Sequence, residues 1–184
     1  GLGYYDIASG AAVGLREALT DVHPEGLAVL PELGRVVFAG KRLEERPGVP
    51  ADLIVYDLDL QEKARLPLDP KLKSGGRLVP AGGGAAVLGV VEQDGTSYLY
   101  RYDIKAGIQG QVLNLESGDA SPVFRKPADG SVWIITDGVL SRLNPESLDV
   151  APVANLGKPL GFPLWLGDTL YGTRGGEVLR ITLP

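Results

Sequence analysis

An all-β fold built from repeated antiparallel units is what these 184 residues predict, and three observations predict it. Glycine and proline are abundant, at 26 and 14 residues, yet 44% of the chain is hydrophobic, a composition of turns and core rather than of disorder. Short β-branched and aromatic runs recur between those turns. A turn unit, made of a large apolar residue followed by Asp or Asn, returns at a near-regular interval.

That unit reads Tyr5-Asp6, Tyr56-Asp57, Tyr102-Asp103 and Leu143-Asn144, with Ile181 as a fifth apolar member, at spacings of 51, 46, 41 and 38 residues. A period of about 40–50 residues is that of β-propeller blades. Ahead of the complete units lie runs that predict first strands at 26–30, 77–80, 122–125 and 162–166, and second strands at 34–40, 84–90, 130–136 and 168–173. The turn units carry the third strands. Weaker alternating stretches at 12–19, 63–68, 111–115 and 150–156 supply the fourth. Four short strands joined by tight turns make one blade, packed face to face on its neighbours around an axis.

The phrases LSRLNPESLDVAPVANL and GDTLYGTRGGEVLRITL resemble the third and fourth strands of generic bacterial β-propeller repeats. The resemblance is to an architecture. No His-x-Trp-Asp box, double-glycine strand, quinoprotein box or hemopexin-type pattern assigns a particular family. A β-sandwich or barrel is the alternative, because strands at 8–12-residue spacing suit it as well.

Blade boundaries follow: a partial blade at 1–19, blades at 20–68, 69–115 and 116–156, and a partial blade at 157–184, all in one domain. Two arrangements satisfy that count. Either residues 12–19 supply the outer strand of the last blade and close a four-bladed ring, or the chain is the C-terminal part of a six- to eight-bladed propeller. The lack of a starting Met favours a fragment of a larger protein, whose N-terminal part would then be a partner of this one.

Composition narrows the partners. A net charge of -5 without a basic cluster excludes nucleic acid, whose phosphates need concentrated Lys and Arg. No apolar run approaches the roughly 20 residues of a membrane span. No cysteine is present, which removes disulfides, thiolate nucleophiles and zinc-thiolate sites. Only three Asn and four Gln, with no Cys or Met, match the thermophilic depletion of labile residues.

Candidate site residues lie in the connections of one predicted face. His23, in the connection Thr20–Glu25, has the chemistry of a general acid or base. The longest connection, 41–51, carries Arg42 and Arg46, whose guanidinium forks fit a carboxylate or an acidic sugar, together with Glu45. Glu92, Glu116 and Arg174 fall on the same face, and Trp165 offers either core packing or a sugar-stacking platform. A ring of carboxylates there has the chemistry of a calcium site, but Glu92–Gly95 reads first as an Asp-Gly hairpin turn; no metal or other cofactor is assigned. Gly82-Gly83-Gly84 lacks the Lys-Ser/Thr successor of a phosphate loop, and no Gly-x-Ser-x-Gly elbow occurs.

The reading that results is a non-catalytic propeller module binding a protein or carbohydrate ligand. The competing reading is an enzyme acting on sugars or lactones, with His23, Glu45, Glu92 and Glu116 around a central site. Resemblance to cell-surface propellers implies an extracytoplasmic location.

Overall fold

The computed structural model describes residues 2–15, 21–43, 49–121 and 123–182, with residues 2–6, 11 and 13–15 described by their backbone only. Within this set the chain forms antiparallel sheets in chain order. A hairpin of β1 (Leu2–Asp6) and β2 (Ala11–Leu15) comes first. Blade I follows as β3 (Val22–Leu30), β4 (Arg35–Arg42), β5 (Asp52–Asp57) and β6 (Glu62–Pro67), then blade II as β7 (Arg77–Pro80), β8 (Ala86–Gln93), β9 (Thr96–Asp103) and β10 (Ile108–Asn114). Blade III is β11 (Phe124–Arg125), β12 (Val132–Thr136), β13 (Val139–Leu143) and β14 (Val150–Asn155), and blade IV is β15 (Gly161–Leu166), β16 (Thr169–Arg174) and β17 (Glu177–Ile181). This is a β-propeller arrangement of four blades, the last with three strands. The first strands β3 and β7 touch each other, as do β11 and β15, so first strands converge on the axis and fourth strands lie outside.

The turns between strands show why the repeats are rich in Asp and Gly. Asp94-Gly95 and Asp137-Gly138 each hold two successive positive φ angles, 52° and 73° in the first and 49° and 78° in the second, the geometry of a two-residue hairpin turn whose twist matches its strands. Farther along the repeat, the Asp after the aromatic closes the third-to-fourth-strand turn. Asp57 Oδ1 accepts from the backbone N–H of Asp59 and Gln61, Asp103 Oδ1 from Ala106, and Asn144 Oδ1 from Glu146 and Ser147. The recurring Asp or Asn is therefore a turn-capping residue.

Alternation along each strand sends side chains to the two neighbouring blades. Ala28, Leu30, Val37, Leu53 and Val55 of blade I meet Leu78, Val87, Tyr100 and Tyr102 of blade II. The opposite face of blade II packs Ala86, Leu88, Val90 and Leu99 on Val123, Val132 and Ile134 of blade III. Blades III and IV meet through Phe124, Trp133 and Ile135 against Trp165 and Leu170. The other face of blade I holds a separate buried cluster of Val22, Phe38, Ile54, Tyr56 and Leu60, with Phe38 and Tyr56 edge to face at 5.6 Å.

Ring closure by strand exchange is not made among the described residues. There β2 pairs with β1 and β17 with β16; of the pairing of residues 12–19 with 177–183 that the closed-ring alternative requires, residues 16–19 and 183 lie outside the described residues.

Candidate functional site

First strands that converge on an axis bring their entry ends to one mouth. The chain reaches this mouth at His23, Pro24 and Glu25 of β3, at Ser74, Gly76 and Arg77 leading into β7, at Glu92 near the end of β8, and at Ala120 before β11; together with Val90 these residues line a cavity of about 300 Å³. Four of the lining groups are an imidazole, two carboxylates and a guanidinium, and all four residues are exposed.

Backbone contact makes the floor of this mouth. A Cβ on Gly26 would stand 2.4 Å from the Gly76 carbonyl oxygen, and one on Gly76 would stand 2.0 Å from that of Val90. Strands β3, β7 and β8 can approach this closely only because both positions lack a side chain. Beneath them lies Tyr100, wholly buried, its hydroxyl donating to Gly75 O at 2.6 Å. Burial, and secondarily the nearby Glu25 carboxylate, push this phenol far above its ordinary range, so it remains a donor that pins the Gly75-Gly76 turn under the site.

The residues expected from the sequence divide sharply. His23 and Glu92 come together at the mouth, although His23 sits within β3, paired with Lys41, rather than in a loop. The strand is longer than expected because a bulge between Pro24 and Gly26 lets the ladder continue past proline. Arg42 lies on β4 and gives its guanidinium to Asp52 in an ion pair. Glu116 stands outside the cavity, in a left-handed turn where its N–H donates to Asn114 Oδ1. Glu45 and Arg46 lie outside the described residues.

Two further candidates are committed to packing. Arg174 donates to Leu156 O at 3.2 Å, Lys158 O at 2.9 Å and Pro159 O at 3.4 Å, so its fork fastens the connection between blades III and IV. Trp165 is buried, 5.3 Å from Trp133, with Lys126 Nζ 5.1 Å from its ring centroid. Neither face of that indole is open to a sugar ring. Arg77 was not singled out in the sequence because it reads only as the first residue of a strand; its place at the same strand end as His23 was the available signal. Among the described residues no three His, Asp or Glu side chains gather in a metal-binding group.

Beside the mouth, Arg65 Nη1 reaches Asp21 at 2.5 Å while its Nε reaches Glu62 at 3.0 Å, tying β6 to the entry of β3. The Arg65 hydrogen bond holds the Asp21 carboxyl below its ordinary value, against a smaller opposing effect of burial. A folded-state value depressed in this way contributes stability above the unfolded value, and the contribution is lost as pH falls through the folded one. The pair is solvent-screened, so its effect stays below about 1 kcal/mol. Chemical denaturation of wild type and Asp21→Asn is expected to differ near neutral pH and to converge once the pH falls below the ordinary carboxylate range; a difference that persists in strong acid contradicts the assignment.

No family profile matches the chain, and no curated protein matches it. Solved structures do. A chain of the nidogen/laminin complex is similar over 98% of this chain and 67% of its own length, at 14% identity and a TM-score of 0.72. The Dos1 propeller is similar over 96% of this chain at 11% identity and a TM-score of 0.67, and TolB from Acinetobacter baumannii over 88% at 13% identity and a TM-score of 0.57. This chain spans 45% of the Dos1 chain and 44% of the TolB chain, less than half of each. At these identities the likeness is one of fold.

Proposed function

We propose that the chain is a non-catalytic interaction module that receives a protein partner at the mouth lined by His23, Glu25, Arg77 and Glu92. The observation that carries this reading is the convergence of two carboxylates and one guanidinium, all exposed, around a single open cavity. Such a set is net negative and offers both signs of charge, which suits a basic side chain flanked by a carboxylate on a partner loop. The commitment of Arg42 to Asp52 and of Trp165 to Trp133 favours a protein over an acidic sugar, because two of the groups expected to hold the sugar are occupied, while Arg46 lies outside the described residues. The similar nidogen/laminin chain belongs to a complex of two proteins.

The enzyme alternative draws on the same mouth, since His23 and Glu92 are together there, but Glu116 stands apart from them. A library of displayed loops selected on the wild-type chain tests both readings. Lys- or Arg-bearing loops are expected to be enriched and to lose about tenfold or more in affinity on the Glu25→Gln/Glu92→Gln double variant. Loops that bind the double variant equally well place the site elsewhere, and turnover of an acidic oligosaccharide or a lactone by the wild-type chain overturns the non-catalytic reading.

A further inference from the structure

The end of the propeller opposite the mouth holds a second cavity, of about 490 Å³. Three turns enclose it: Gly82 comes from the turn between β7 and β8, Ser131 from that between β11 and β12, and Pro145 from that between β13 and β14. First strands enter from the mouth and second strands return to it, so these turns lie at the far end of the blades. The two turns of blade III are closed by their own hydrogen bonds, with the Lys126 N–H donating to Ser131 O and the Asn144 N–H to Asp149 O, each at 2.9 Å. Pro145 Cγ stands 3.6 Å from where a Gly82 Cβ would be, which brings the blade II turn against them. The wall is therefore preformed by the fold, and blades II and III, which supply it, have other blades on both sides.

Arg125 and Arg142 line this cavity, both exposed. Ladder pairing sets Arg125 opposite Val132 and Arg142 opposite Trp133, so the two rise from opposite faces of blade III and flank the cavity. Other arginines are bound within the fold: Arg42 to Asp52, Arg65 to Asp21 and Glu62, Arg101 to Glu146, and Arg174 to backbone carbonyls. Arg125 and Arg142 have no hydrogen bond or ion pair among the described residues. Arg142 acts only as a minor charge on Asp129, whose carboxylate accepts from the Ser131 N–H and hydroxyl. The two carboxylates in the lining are engaged elsewhere, Glu146 with Arg101 at 3.0 Å and Asp149 with the Ser147 hydroxyl at 2.5 Å. The charged lining groups left without a partner are the two guanidiniums.

We propose that this cavity is a second binding site, which takes an acidic peptide segment: carboxylate side chains pair with Arg125 and Arg142, and an apolar residue between them rests on Pro145 and Ala151. A guanidinium fork fits a carboxylate bidentately, and arginine is enriched among the residues that carry most of the binding energy at interfaces. A peptide segment is the occupant, in place of a free inorganic anion, because the cavity is far larger than one anion and its wall includes the apolar Val132, Leu143, Pro145 and Ala151. Apolar lining with a few placed polar groups is the usual build of a ligand pocket. The site is opposite to the mouth in position and in charge preference, and it stands independently of the reading given there.

Fluorescence anisotropy with a labelled Glu-Leu-Glu-Leu-Glu peptide tests it. The wild-type chain is expected to bind this peptide saturably, and Arg125→Gln and Arg142→Gln each to weaken binding about tenfold or more. Arg142→Lys keeps the charge without the fork and is expected to fall between wild type and Arg142→Gln, with circular dichroism showing that these exposed-site variants stay folded. The Glu25→Gln/Glu92→Gln mouth variant is expected to bind the peptide as wild type does; a loss there places the peptide at the mouth and overturns the assignment. No saturable binding by wild type up to about 1 mM peptide, equal binding of a Gln-Leu-Gln-Leu-Gln peptide, or full affinity in both arginine-to-glutamine variants also overturns the proposal. Inorganic phosphate that displaces the peptide at equal concentration overturns the peptide assignment in favour of a simple anion site.

Discussion

Replacing Gly76 with alanine is expected to destabilise the protein by about 3 kcal/mol or more and to lower its melting temperature by roughly 6–12 °C for a chain of this size. Two effects coincide at this residue. Its φ of 62° lies in the left-handed region, and a Cβ there would meet the Val90 carbonyl at 2.0 Å and Val91 Cα at 3.0 Å. Those are backbone atoms of β8, which cannot give way as a flexible side chain can. Relief requires β7 and β8 to separate, and that moves Arg77 and Glu92, so binding at the mouth should fall together with stability. Gly34 supplies the control, with a φ of 59° and no atom within 4 Å of its Cβ position. Gly34→Ala is expected to cost about 1 kcal/mol. Equal losses for the two variants in urea denaturation would mean that the left-handed conformation alone accounts for the effect and that the strand contact contributes nothing.

The second large effect falls in blade IV. Trp165→Ala is expected to cost about 3–5 kcal/mol and to loosen blade IV ahead of the rest. Trp165 sits at the centre of the cluster that joins blades III and IV, against Trp133 and under Lys126. Among the described residues blade IV contributes three strands, and its buried apolar side chains belong to the cluster it shares with blade III, so there is little else there to offset the loss. Hydrogen exchange followed by mass spectrometry should show faster exchange in β15–β17 while β8 and β9 keep their protection. Uniform acceleration across all blades would show instead that the propeller opens as one cooperative unit. Trp165→Phe, which keeps a ring against Trp133, should recover much of the loss.

Much of the architecture was legible in the sequence because blades are built from local signals. The second and third strands coincide with apolar runs between turn residues, and the hairpins at Asp94-Gly95 and Asp137-Gly138 follow from the dipeptides themselves. The Asp and Asn residues of the recurring unit cap their own turns through bonds spanning two to four residues. Such contacts are written into a short stretch of chain, so a repeat of the sequence is a repeat of the structure.

The site was legible only in part. His23 and Glu92 drew attention by their chemistry, yet nothing local says that they share a cavity with Arg77, which depends on β3, β7 and β8 reaching the axis at one end. Arg42, Trp165 and Arg174 looked available for a ligand because their partners are distant or inconspicuous in the chain: Asp52 ten residues on, Trp133 a blade away, and carbonyls of a loop 15 to 18 residues back. Charge and aromaticity set what a side chain is able to do, and tertiary packing decides whether that capacity is spent inside the fold.

The sequence by itself determined the all-β class, the blade repeat, the hairpin turns and the absence of cysteine chemistry, since these rest on composition and on interactions between near neighbours in the chain. Only the tertiary structure decided which charged groups meet at the mouth and which candidates are consumed in packing. Those outcomes depend on how whole sheets approach one another, and at Gly26 and Gly76 that approach is set by the space a missing side chain leaves between strands.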